Sequence, residues 1–194
     1  MKFKNRLMLL AATALLPAMQ SFAQTPKTGD VLVATAAMTD PTFAETVILL
    51  VHHSDEGSFG LFLNRPTWVD GGEQYDVLAP VEDAAVRTLN FGGPVAMSQL
   101  LSLSSASGTS ESTNEVLAGV FLSTDIEDAV DSGGRLRVFA GHTVWSEDQL
   151  QNELDDGYWQ LTEGTLELIF DTPAEQLLER AQALVDGGLV ASVP

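Results

Sequence analysis

Apolar residues in this chain fall in short runs, most of them ended by glycine, proline or aspartate, rather than in long stripes of helical period. Residues 30–36 hold Val31, Leu32 and Val33 in succession, which predicts a strand buried on both faces. Residues 46–52, rich in β-branched side chains, predict a second strand. Asp40-Pro41 between them marks a turn, because proline fixes φ and disfavours helix in the residue before it. A tight turn at 55–58 leads into a third strand at 59–63, stopped at Pro66. So short a connection predicts an antiparallel hairpin.

Residues 67–80 read as a polar connection and 81–88 as a short helix. Gly92-Gly93-Pro94 punctuates the chain before a strand at 99–104, a small-residue loop at 105–113 and another strand at 115–122. Three helices are announced by capping boxes: Thr124-x-x-Glu127, Ser146-x-x-Gln149 and Thr172-Pro173-x-Glu175. In each, the hydroxyl accepts from a free N–H of the first turn while the acid or amide reaches back. Gly133, Gly157 and Gly187 supply matching stops, since glycine adopts the left-handed conformation that ends a helix. Strands are expected at 135–141, 158–161 and 165–170, and a frayed tail at 189–194. Strands dominate the first half and alternate with helices in the second, so the class is α+β, without internal repeats.

Composition changes the picture first at the N-terminus. Lys2, Lys4 and Arg6 precede an apolar run at 7–16, Pro17 breaks it, and Ser21-Phe22-Ala23 offers a small-x-small cleavage pattern. Residues 1–23 thus predict a signal peptide cut after Ala23, periplasmic or secreted delivery, and one mature domain over 24–194. The run falls short of the roughly 20 apolar residues of a spanning helix, so no stable membrane insertion is expected after cleavage. The chain has 9 basic and 27 acidic residues, a net −18; losing three basic residues with the leader leaves 6 against 27, or −21. Such a surface repels nucleic acid and suits cationic partners, divalent ions or a salt-rich habitat. With no cysteine, disulfides, thiol redox chemistry and thiolate metal sites are excluded.

Candidate chemistry is sparse. His52 and His53 beside Asp55 and Glu56 are the residue types of a Zn²⁺ or Mn²⁺ site. Neighbours on a strand point to opposite faces, so only one imidazole can serve such a site. The alternative is that His53 donates to a backbone carbonyl and fixes the strand end. Arg65, between Asn64 and Pro66, is either a bidentate grip for a carboxylate or phosphate or the partner of an acid such as Asp40 or Glu45. Gly92-Gly93-Pro94 lacks the Gly-x-x-x-x-Gly-Lys-Ser/Thr phosphate pattern and points instead to backbone passing close to another element. Trp145, Gln149, Glu153 and Trp159 form either a docked helix with aromatic anchors or an acid whose pKa is raised near two indoles. Gly57-Ser58-x-Gly60 is not the Gly-x-Ser-x-Gly nucleophile elbow. No catalytic residue, metal ion or cofactor is assigned.

Residues 29–66, with Asp40-Pro41, the paired histidines and Asn64-Arg65-Pro66, resemble the opening of the bacterial YqgE/AlgH family. Gly92-Gly93-Pro94-Val95 is similar to that family's second motif. Ala140-Gly141-His142-Thr143-Val144-Trp145, then Gln149-Leu150-x-x-Glu153-Leu154 and Trp159, is similar to its third. His142 stands where the family usually has tyrosine, and Val144 and Asp148 where it has glycine; an exported member is also unusual. The resemblance implies a bulged, mostly antiparallel sheet curled into a pseudo-barrel with helices packed outside. It aligns His53 with the family's single histidine and carries no assigned reaction. The expectation is a non-catalytic module for an unidentified small ligand or protein partner, on a surface gathering Asp40, His53, Asn64, Arg65, Gly92, Gly93 and Pro94. The alternatives are a metal-assisted hydrolase using His53 with nearby carboxylates, and indirect regulation without DNA contact.

Overall fold

The computed structural model describes residues 25–67 and 89–191, with side chains through 187. Residues 1–24, with the expected leader, residues 68–80 of the polar connection, the expected 81–88 helix and residues 192–194 lie outside the described residues. Three strands open the fold: β1 (Asp30–Ala34), β2 (Val47–Ser54) and β3 (Gly57–Phe62). The short β4 (Pro66–Thr67) and β5 (Leu89–Phe91) precede the long β6 (Val95–Ser104). Then come β7 (Asn114–Leu117), β8 (Val120–Ser123), α1 (Ile126–Asp131), β9 (Leu136–Ser146), α2 (Gln149–Asp155) and β10 (Trp159–Glu163). A π-helical turn (Glu167–Asp171) and α3 (Leu177–Ala191) close the described chain.

The strands form one sheet in the order β10-β1-β2-β3-β9-β6-β8-β7, with β5 joining β4 to β9. Pairing is antiparallel except for β5 on β9. Register shifts in β2, β6 and β7 mark bulges, and each adds local twist and bend. The curl brings β7 back toward the far side of the sheet. A Cβ placed on Gly29 would sit 3.1 Å from Leu117 Cβ, and one on Gly164 would sit 2.9 Å from Leu117 Cδ2. A curled, mostly antiparallel pseudo-barrel results.

Both faces of β1 and β2 are covered, which explains their unbroken apolar runs. Val31, Val33, Val47, Leu49, Leu61 and Leu63 face one core, closed by Leu177, Ala181 and Val185 at helical spacing on α3. Leu32, Ile48, Leu50 and Phe62 face a second core with Trp145, Leu150 and Trp159. A third, smaller cluster of Leu89, Leu100, Val138 and Ala140 has Ile126 of α1 and Leu136 packed against it.

Several local expectations are corrected. The single strand at 115–122 is the hairpin β7–β8, turned at Ala118-Gly119 with Gly119 at φ +76°. The strand at 165–170 is instead the π-helical turn, where Leu168 N–H and Ile169 N–H bond back to Thr165. Adjacent Leu168 and Ile169 are both buried in one core, a demand that strand alternation cannot meet. Three arginines pin that turn: Arg135 Nη1 to both Asp171 carboxylate oxygens at 2.6 and 2.8 Å, Arg137 to the Ile169 carbonyl, and Arg180 to Glu167.

The helix starts also shift. Asp125, not Thr124, caps α1 by accepting from Asp128 N–H at 3.1 Å. Gln149 does reach back to Ser146 N–H at 3.2 Å, but α2 begins after Asp148 at φ +59°. Thr172 spends its hydroxyl on the Glu167 carbonyl, and α3 begins at Leu177. Gly133 and Gly157 do take positive φ at helix ends, whereas α3 runs through Gly187 to Ala191. Glycine permits a left-handed stop without enforcing one.

Candidate functional site

The turn that follows Asp40 borders a cleft on the described surface. Asp40 Oδ1 accepts from Thr42 N–H at 2.8 Å, and its carbonyl accepts from Phe43 and Ala44 N–H. This delivers Ala44 and Glu45 to the foot of β2. Asn64 grips them there: its Nδ2 donates to the Glu45 carbonyl at 2.8 Å while its Oδ1 accepts from Val47 N–H at 3.0 Å. Arg65 Nη2 donates to the Ala44 carbonyl at 2.7 Å. Between these clamps Glu45 sits at φ +58°, a left-handed conformation that costs a non-glycine residue roughly 1–2 kcal/mol.

A cleft of about 350 Å³ opens beside this turn, lined by Glu45, Asn64, Arg65, Pro66, Ala174, Glu175 and Leu178. The far wall is the entry to α3, where Gln176 N–H and Leu177 N–H bond back to the Pro173 and Ala174 carbonyls at 2.9 and 3.4 Å. Half-buried Arg65 meets no carboxylate within ion-pair distance among the described residues, although Glu45 and Glu175 line the same space. The expected ion pair to Asp40 or Glu45 is therefore absent; a backbone carbonyl takes its place.

The glycine motif lies alongside. Phe91 N–H donates to the Arg65 carbonyl and Phe62 N–H to the Gly92 carbonyl. A Cβ on Gly92 would collide with the Gly141 carbonyl, and one on Gly93, at φ +149°, with the His142 carbonyl. Gly92-Gly93 is thus a backbone crossing over β9, and Pro94 is left exposed.

His53 is not part of this group. It lies six residues along β2 from Val47, about 20 Å at 3.3 Å per residue. Its Nδ1 is 2.6 Å from Ser58 Oγ across the β2–β3 hairpin, a side-chain partner rather than the expected carbonyl. Among the described residues no three His, Asp or Glu side chains converge as metal ligands. His52, on the other face, pairs with Phe59, whose ring meets His142 edge-on at 5.1 Å. Burial pushes the His142 pKa down, and its Nδ1 has no hydrogen-bond partner among the described residues.

The tryptophan constellation closes as a structural bolt. Glu153 Oε2 accepts from Trp145 Nε1 at 2.9 Å and Trp159 Nε1 at 2.7 Å, while Oε1 accepts from Gln149 at 2.9 Å. Elsewhere, burial lowers the Arg137 pKa to about 10, and its guanidinium donates to the Leu63 and Ile169 carbonyls and to Asn90. Backbone N–H groups of Ser110 and Thr109 hold the Asp128 carboxyl below its usual range, and the neighbouring Asp30 carboxylate raises the Lys27 pKa. Sequence patterns alone miss Ala174, Glu175 and Leu178 as cleft residues, because they join Arg65 only through the packing of α3.

Residues 31–189 match the AlgH-like DUF179 family. A UPF0301 protein of Paraburkholderia phymatum is 35% identical over 167 residues, covering 81% of this chain and 87% of the relative. The UPF0301 protein SCO2948 of Streptomyces coelicolor is 37% identical over 147 residues, covering 70% and 75%. The solution structure of the AlgH protein from Pseudomonas aeruginosa is similar at TM-score 0.67 and 30% identity, over 86% of this chain and 94% of that one. Protein DIP2367 of Corynebacterium diphtheriae shares the fold at TM-score 0.65 and 21% identity, over 88% and 89%. With its ordered motifs, curled sheet and family match in agreement, the chain belongs to the AlgH-like family.

Proposed function

We propose that this chain is an exported, non-catalytic binding module that holds an anionic group of a small ligand or partner segment on Arg65. One observation carries the proposal: among the described residues Arg65 faces a cleft with only a backbone carbonyl as side-chain partner, in a chain of 27 acids. A guanidinium offers a planar fork of five donors, so one bond to Ala44 leaves enough for a bidentate carboxylate or phosphate contact. Asn64 and Asp40 act by positioning the turn. Gly92, Gly93 and Pro94 shape the adjoining backbone, and His53 takes no part in this cleft.

Acetate and inorganic phosphate titrated into ¹⁵N-labelled protein should give saturable amide shifts at 44–47, 64–65 and 174–178. Arg65→Ala should abolish them while the remaining spectrum stays dispersed. Identical titrations of wild type and variant would refute the role of Arg65. Export is supported by the Lys2, Lys4 and Arg6 cluster, the apolar run and Ala23, and predicts a mature N-terminus at Gln24 by intact mass of periplasmic protein.

A further inference from the structure

Resting on the Arg65 reading, we infer that the cleft takes a small zwitterion: a short molecule with a carboxylate at one end and an ammonium at the other. The argument begins with charge. Arg65 presents positive charge to the cleft, while Glu45 and Glu175 present negative charge to the same space. Neither glutamate approaches Arg65 to ion-pair distance. The two signs are kept apart within about 350 Å³ instead of neutralising each other.

A purely anionic ligand would have to sit against two carboxylates, and a purely cationic one against a guanidinium. A molecule carrying both charges satisfies each wall. Glu45 adds a second, independent argument. Its left-handed backbone is unfavourable, yet Asn64 and Arg65 hold its own carbonyl and that of Ala44 in place. Such held strain clusters at ligand clamps, and here it holds the backbone of a cleft-lining glutamate in place. Glu175 comes from the turn before α3, so the negative charges flank the cleft from two separate elements.

Size and polarity narrow the class. The volume is near the lower end of the roughly 300–1,000 Å³ of small-molecule pockets. Pro66, Ala174 and Leu178 supply apolar wall between the charged groups. An amino acid or dipeptide with a small apolar side chain fits this description: carboxylate on Arg65, ammonium toward Glu45 and Glu175, methyl groups against Leu178.

The test is calorimetry on the full purified chain with L-Ala-L-Ala, its N-acetyl form and its C-terminal amide. The free dipeptide should bind about tenfold or more tightly than either capped form. Glu45→Gln and Glu175→Gln should each reduce that advantage without weakening the N-acetyl form, and Arg65→Ala should remove binding of both carboxylate-bearing probes. Equal or tighter binding of the N-acetyl form overturns the zwitterion while leaving the anion site standing. Failure of all three probes, together with failure of acetate and phosphate, overturns both. Tight binding of the amide that ignores Arg65→Ala would make the cleft a cation site and likewise overturn both.

Discussion

Glu153 gives the most direct check on how the outer core is held. Its Oε2 accepts two indole N–H groups, from Trp145 and Trp159, which are only 4% and 2% exposed. The two rings meet edge-on with centroids 6.2 Å apart, so neither N–H can swing to water without breaking that packing. Glu153→Ala orphans both donors, at about 1–3 kcal/mol each, for a total of about 2–6 kcal/mol. Glu153→Gln keeps an oxygen with two lone pairs but loses charge assistance. It also sets its amide against Gln149 Nε2, whose own oxygen is engaged by Ser146. That variant should lose only about 1–2 kcal/mol. Urea unfolding followed by far-UV circular dichroism and tryptophan fluorescence reads both values. A Glu153→Ala loss under about 0.5 kcal/mol, the scale of ordinary surface changes, would refute this accounting. So would equal losses in the two variants, since the surviving acceptor would then be worth nothing.

Arg137→Met removes the donor that serves the Leu63 and Ile169 carbonyls and Asn90, and should cost about 3 kcal/mol or more in urea unfolding; a neutral result would show those acceptors find other donors. His142 has its pKa lowered from 6.5 by burial, so the unfolded chain binds that proton more readily than the folded one. Its contribution is therefore full above pH 6.5 and is lost as pH falls from there through the folded pKa. His142→Phe keeps an edge contact to Phe59, removes the buried unpartnered nitrogen, and should gain about 1 kcal/mol at pH 7. It should also flatten the stability profile below pH 6.5; urea midpoints measured across that range check it, and an unchanged slope rejects it.

Residues 30–36 announced a strand buried on both faces, because an unbroken apolar run records a local demand that only a double-sided sheet meets, and 46–52 announced a second strand by its β-branched residues. Asp40-Pro41, the β2–β3 turn and the close-packed Gly92-Gly93 were equally legible, since sterics at proline and glycine act over one or two residues. The α+β class and family followed from these local signals taken in order. The π-helical turn was not legible: Thr165–Phe170 suits either element, and only the burial of adjacent Leu168 and Ile169 against α3, with three arginines pinning the turn, decides it. The candidate site divided the same way. Arg65 stood out as one of six basic residues beyond residue 23, and Asn64-Arg65-Pro66 as a strand-end motif. Tertiary structure alone set His53 at the far end of β2, left Arg65 without an acid, and brought Ala174, Glu175 and Leu178 across more than a hundred residues to face it. Sequence pattern records how each residue wants to be buried or turned; which distant segment answers that demand depends on how the sheet curls and where α3 lands.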